Sequence, residues 1–83
     1  MRFDLALFEL RLFKSRTAAQ EAIERGDARL NGGPVKPSHA LKPGDRVTVA
    51  HGDRARTYEV LGLPRRGLGK EAARALVREI GEA

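Results

Sequence analysis

Residues 13–37 read FKSRTAAQEAIERGDARLNGGPVKP, and this stretch predicts the central part of the fold. Ser15 carries a hydroxyl that can cap the free N–H groups of a first helical turn, and Thr17 with Gln20 offers an alternative capping box. Gly26 can adopt the left-handed conformation that ends a helix. The apolar residues between these ends have the i, i+3, i+4 spacing of one buried face, namely Ala18, Ala19, Ala22 and Ile23.

The segments after this helix predict a small, mostly antiparallel sheet. Residues 28–30 alternate between apolar and polar side chains, as a short strand does, and residues 31–32 form the turn dipeptide Asn-Gly. Residues 42–45 have proline and glycine where a tight turn requires them. Residues 46–49 and 56–61 are then predicted to be two further strands that run back and forth across the sheet.

Two more helices are predicted at the ends of the chain. Residues 1–12 are apolar nearly all round, with Asp4 as the expected N-cap. Only residues 13–14, or one residue more, separate this helix from the next, so the two must meet in a sharp corner. Residues 71–79 predict a last helix, with a buried face of Ala72, Ala73, Leu76, Val77 and Ile80. The fold class is therefore α+β: a two-helix corner on a small sheet, with a C-terminal helix.

The composition restricts the classes of partner. The chain has 83 residues, which predicts one domain, and it carries 16 Lys and Arg against 11 Asp and Glu. The net charge of +5 favours a polyanion as partner. There is no cysteine, and no apolar run reaches the roughly 20 residues that span a bilayer. Asp4, Glu9 and Arg11 interrupt any signal-peptide core, so we expect a cytoplasmic protein that does not act at a membrane.

No pattern typical of an enzyme or a metal site is present. Ser15 and Ser38 lack a base and an orienting acid, and His39 and His51 lie in separate turns without metal-ligand spacing. Residues 67–70, Gly-Leu-Gly-Lys, resemble a nucleotide loop but lack its earlier glycine and its following hydroxyl. This segment is either a phosphate-contacting loop or a solvated linker. We expect no catalysis, no cofactor and no metal.

The positive charges are unevenly distributed. One group surrounds the helix corner and the hairpin predicted at residues 28–36, and consists of Arg2, Arg11, Lys14, Arg16 and Lys36. A second group consists of Arg65, Arg66 and Lys70. A solvated basic helix start would explain Lys14 and Arg16 equally well. Among the aromatic residues only Tyr58 falls in a predicted strand, which argues against a platform that stacks several bases. Contacts to the phosphates and the groove shape of folded RNA fit better.

These residues resemble a known family, the RNA-binding domain first described in ribosomal protein S4. The motifs that carry the resemblance are MRFD at 1–4, Arg11, FKSR at 13–16, Ala18, Ile23, Gly26, LNG at 30–32, KPS at 36–38 and PGD at 43–45. It covers residues 1–62, which we take as the domain, and leaves 63–83 as a basic loop and a C-terminal helix. The resemblance implies RNA contacts by Arg2, Arg11, Lys14, Ser15, Arg16, Gln20 and Lys36.

Residues 63–83 indicate which members of this family the chain resembles. Residues 65–67 and 70–72 look like the stand-alone members related to bacterial heat-shock protein 15 and to a similar ribosome quality-control factor. Those proteins bind the large ribosomal subunit when it carries an obstructed peptidyl-tRNA. The likeness adds Arg65, Arg66 and Lys70 to the expected contacts. Leu5 departs from the pattern, because relatives often carry lysine there.

The expected function is therefore non-catalytic binding of structured RNA, namely ribosomal RNA and tRNA on the large subunit, during ribosome-associated quality control or recycling. The free protein is expected to be a monomer. Two alternatives are an accessory RNA-binding module of an RNA-modifying enzyme and a structural component of the ribosome.

Overall fold

Four antiparallel strands form one sheet, and two helices pack against one of its faces. The computed structural model describes residues 1–82, with only the backbone of the last. The elements in chain order are α1 (Phe3–Glu9), α2 (Arg16–Arg25), β1 (Ala28–Leu30), β2 (Arg46–His51), β3 (Arg54–Val60), α3 (Lys70–Arg74) and β4 (Val77–Glu82). The strand order is β1-β2-β3-β4. The α+β class is confirmed. No helix within residues 1–82 is long and apolar enough to cross a membrane.

Helix α2 begins and ends at the predicted residues. Ser15 has an extended backbone, and its Oγ accepts a hydrogen bond from the N–H of Ala18 at 3.0 Å. Gly26 ends the helix with φ of 82°, in the left-handed region that glycine adopts without strain. The face turned to the core consists of Ala19, Ala22 and Ile23.

The turn that follows β1 is tied to the start of β2. Asn31 and Gly32 have φ values of 51° and 83°, as the predicted turn after β1 requires. The Asn31 side chain also accepts from the N–H of Arg46 at 2.9 Å, which ties this turn to the start of β2. Strand β2 pairs along its full length with residues 54–59 of β3. Both strands are longer than predicted. Val47 and Val49 of β2 point into the core and are almost fully buried.

The first helix is shorter than predicted, and Asp4 is not its cap. Arg2 occupies the N-cap position without a capping side chain, and Asp4 lies in the first turn, fully buried. The helix ends at Glu9, and Arg11 follows with φ of 64°. The connection to α2 therefore covers residues 10–15 rather than 13–14. The prediction followed the apolar periodicity past the point where the backbone turns.

The last helix was predicted too long. Helix α3 has five residues, and Val77–Glu82 forms strand β4. Strand β4 pairs with β3, matching Val77 to Val60, and Ile80 is 37% exposed instead of buried. The edge of β3 supplies backbone partners that a sequence pattern cannot reveal. The division at residue 62 remains a prediction, although β4 joins the sheet of the preceding residues.

The N-terminus is fixed by the segment that precedes β2. The N–H of Phe3 donates to the carbonyl of His39 at 2.8 Å, and the N–H of Asp4 donates to that of Pro37 at 3.1 Å. The N–H of Leu41 donates to the carbonyl of Met1 at 2.8 Å. This pairing places the start of α1 beside residues 36–41.

Candidate nucleic-acid interface

A buried carboxylate, that of Asp4, organises the helix corner. Its Oδ1 accepts hydrogen bonds from Nε of Arg2 at 3.1 Å and from the N–H of Leu5 at 2.7 Å. Its Oδ2 accepts from Nη2 of Arg2 at 3.1 Å and from Nε2 of Gln20 at 2.8 Å. A longer contact of 3.4 Å joins Oδ2 to Nε of Arg16. Side chains from α1 and α2 thus meet on one anion.

The charge of Asp4 is retained in this buried place. Burial by itself raises the pKa of Asp4, but the hydrogen bonds from Gln20, Arg2 and Leu5 and the positive charge of Arg16 outweigh it. The pKa of Asp4 is therefore lowered from its ordinary value of 3.8. At neutral pH the carboxylate is ionised and can orient both arginines.

The two arginines remain accessible while they are anchored. The side chain of Arg2 is 48% exposed and that of Arg16 is 38% exposed, whereas Asp4 is not exposed at all. A guanidinium carries five N–H donors, and Asp4 takes only one or two from each. The remaining donors are available to phosphate, which binds arginine through charge-assisted hydrogen bonds. Because the two positive charges of Arg2 and Arg16 are matched by the single negative charge of Asp4, the surface around them stays positive.

Lys36 and Ser15 flank this group in different ways. Lys36 is exposed and directly precedes Pro37, whose carbonyl accepts from the N–H of Asp4. The backbone at Lys36 therefore lies near the start of α1, and an RNA contact by Lys36 stays a prediction. Ser15 is at the corner too, but its Oγ already accepts from Ala18. Its role is to begin α2 and so to place Arg16, which leaves direct RNA contact by Ser15 a prediction.

Arg11, Lys14 and Lys70 lie together on another side of the corner. They line one open groove with Phe8, Leu12 and Phe13. Arg11 also donates from Nη2 to the carbonyl of Leu68 at 2.7 Å. It therefore holds the basic loop, residues 65–70, as well as contributing charge to the surface.

The basic loop is docked on the end of α1. Glu9 is 8% exposed, and its Oε2 accepts from the N–H of Gly67 at 3.0 Å. Arg65 and Arg66 are exposed and make no hydrogen bond or ion pair with the described residues. The predicted contact residues therefore separate into those around Asp4, those around Arg11 and the two loop arginines.

Sequence reasoning missed two positioning residues, Asp4 and Glu9. The signal for Asp4 was present, since Arg16 and Gln20 lie one turn apart on α2 and both have side chains that bind a carboxylate. Glu9 gave no signal, because its partner is a backbone N–H 58 positions away. Within residues 1–82, no three His, Cys, Asp or Glu side chains are arranged to hold a metal ion.

Comparison with known sequences identifies similar proteins. A model of the S4 domain family matches residues 1–47. A Bacillus subtilis (strain 168) protein named RQC P-site tRNA stabilizing factor is 40% identical over 73 residues, which cover 88% of this chain and 85% of that protein. A protein of the same name from Streptococcus pneumoniae (strain ATCC BAA-255 / R6) is 35% identical over 63 residues, covering 76% and 72%.

Comparison with solved structures supports the same relationship. The chain superimposes on heat shock protein 15 of Vibrio cholerae, which was solved as a trimer, with a TM-score of 0.90 and 29% sequence identity. The superposition covers 96% of this chain and 81% of that one. The similarity therefore includes α3 and β4, which lie beyond the residues that the family model matches.

Proposed function

The chain belongs to the S4 domain family, and from that membership we propose that it binds ribosomal RNA and tRNA on the large ribosomal subunit. The resemblance to the RNA-binding domain and to its stand-alone members is thereby confirmed. The proposed role is ribosome-associated quality control or recycling, at the P site, in the cytoplasm. The relatives' name, P-site tRNA stabilizing factor, supports binding without catalysis.

The observation that carries the proposal is the arrangement around Asp4. A buried carboxylate holds Arg2, Arg16 and Gln20 with donors left over for a ligand. Phosphate contacts position a protein on nucleic acid, and rigid donors lose little entropy when they bind. Lys14 and Lys36 are exposed and add positive charge to the surface of the chain.

The test is co-sedimentation with large ribosomal subunits. Subunits that carry peptidyl-tRNA in the P site are compared with empty subunits, using wild type and a variant with Arg2→Ala and Arg16→Ala. We expect wild type to sediment preferentially with the tRNA-bearing subunits and the variant to sediment with neither. A control with Arg25→Ala and Arg29→Ala makes the same change in charge away from Asp4 and should behave as wild type.

A second variant tests the basic loop, in which Arg65, Arg66 and Lys70 are all replaced by alanine. These side chains are exposed, so the thermal midpoint should change little. We expect weaker subunit binding with some affinity for a short RNA helix retained. Failure of wild type to sediment with either kind of subunit would exclude the proposed function. Wild-type sedimentation of both the Arg2/Arg16 variant and the loop variant would exclude these residues from the binding site.

A further inference from the structure

Part of the helix-facing side of the sheet, over β3 and β4, is left open by α1 and α2. Val47 and Val49 on β2 are buried under these helices, and their partners on β3 are Tyr58 and Arg56. Paired residues on adjacent strands point to the same face. Tyr58 is nevertheless only half-buried and Arg56 is exposed. The aromatic ring thus forms part of the floor of an open groove over β3 and β4.

The walls of this groove are basic. Residues 10–12 of the corner form one side, and Lys70 and Arg74 of α3 form another, enclosing about 540 Å³. This volume falls within the roughly 300–1,000 Å³ of small-molecule sites. Of the described side chains that line the groove, four are cations and one, that of Glu79, is a carboxylate. The surplus of positive charge favours an anionic occupant.

The four cations differ in whether their side chains have partners among the described residues. Arg56 faces Glu79 at 3.9 Å, and Arg11 donates to the carbonyl of Leu68. The side chains of Lys70 and Arg74, in contrast, make no hydrogen bond or ion pair with the described residues. Bases stack on aromatic rings, and phosphates bind lysine and arginine. Tyr58 therefore offers a partner for the base of a nucleotide, and Lys70 and Arg74 offer partners for its phosphate.

We infer that this groove binds one unpaired nucleotide of the RNA held at the helix corner, with its base stacked on Tyr58 and its phosphate on Lys70 and Arg74. The groove is continuous with the corner, since Arg11, Leu12 and Lys70 line both it and the neighbouring groove that contains Lys14. The inference rests on the proposed RNA binding and adds a preference for an unpaired base. Tyr58 is the sole aromatic residue among the described residues that line the groove, so the groove takes a single base.

The test uses two RNA hairpins that differ by one bulged adenosine. We expect wild type to bind the bulged hairpin about tenfold more tightly, the order that one base stacked on an aromatic side chain contributes. Tyr58→Leu should remove the preference, and Tyr58→Phe, which keeps the ring, should retain it. Arg74→Ala, a change on the exposed surface of α3, should weaken binding to the bulged hairpin more than binding to the plain one.

A direct readout comes from the ring protons of Tyr58, the only tyrosine in the chain, which should shift in NMR spectra with the bulged hairpin alone. Equal affinity of wild type for both hairpins, or an intact preference in Tyr58→Leu, would overturn the inference and leave RNA binding standing. Arg16→Ala should weaken binding to both hairpins by the same factor. Failure of wild type to bind either hairpin would overturn the proposed function as well.

Discussion

Asp4 is the residue on which the corner depends. Four side chains and backbone groups donate to its buried carboxylate, so its charge is compensated only while they all stay in place. Loss of the carboxylate would leave Arg2 and Arg16 without an anchor. Asp4 is thus a positioning residue, acting on RNA through the arginines.

Asp4→Asn should lower both stability and RNA affinity. The amide presents an N–H₂ group to donors, so we expect unfolding free energy to fall by about 1–3 kcal/mol, as for a lost charge-assisted hydrogen bond in a buried place. Affinity for tRNA should fall although net charge rises. Asp53→Asn, at the exposed β2–β3 turn, makes the same charge change and is the control for urea unfolding and binding. If neither the unfolding free energy nor the tRNA affinity of Asp4→Asn falls below that of Asp53→Asn, the assigned role of Asp4 is wrong.

The same residue predicts a pH dependence. The pKa of Asp4 is lowered in the folded protein, so its contribution to stability is fully present above the ordinary value of 3.8. That contribution is lost as the pH falls through the folded-state pKa. The difference in unfolding free energy between wild type and Asp4→Asn, measured by urea unfolding, should therefore be constant near neutral pH and shrink under acid conditions. A difference that grows on acidification has the wrong sign for this account.

Among the elements, the basic loop is held by few contacts. The bond from Gly67 to Glu9 and the bond from Arg11 to Leu68 join it to the end of α1. Removing one of two such contacts should favour local opening without unfolding the sheet. The loop is therefore the element whose position a single substitution can change.

Glu9→Ala should expose the loop to protease. Trypsin cleaves after Arg65 and Arg66, and we expect cleavage there to become roughly tenfold faster, in line with the loss of one hydrogen bond to a charged group. Mass spectrometry identifies the sites, and cleavage at Arg46 in β2 reports global unfolding. Glu24→Ala, on the exposed side of α2, is the control. Equal cleavage of both variants after Arg65 and Arg66 would show that Glu9 does not hold the loop.

The elements predicted correctly are those with local signals. Ser15 marks the start of α2 through a hydrogen bond to a nearby residue, and Gly26 marks its end through its φ angle. Strand β4 was missed because its formation depends on the edge of β3, which is distant in sequence. The contacts of Asp4 to Arg16 and Gln20 span 12 and 16 positions, so the cations were predicted and their common anchor was not.

At the scale of the whole molecule, the net charge of +5 is spread over adjoining surfaces. The residues around Asp4 occupy one side of the helix corner, and the groove with Lys14 and the groove over Tyr58 share Arg11, Leu12 and Lys70 on another side. A folded RNA contacting this corner would meet phosphate-binding groups along its length. Binding of this kind releases counterions and weakens as salt is added.

The salt dependence of tRNA binding tests this account most directly. For wild type, the logarithm of the association constant should fall linearly with the logarithm of salt concentration, with a slope of several units. Arg16→Ala should reduce the magnitude of that slope by about one unit, whereas Arg25→Ala, at the other end of α2 and paired with Asp27, should leave it unchanged. A folded Arg16→Ala protein with the wild-type slope would contradict the claim that the anchored arginine binds phosphate.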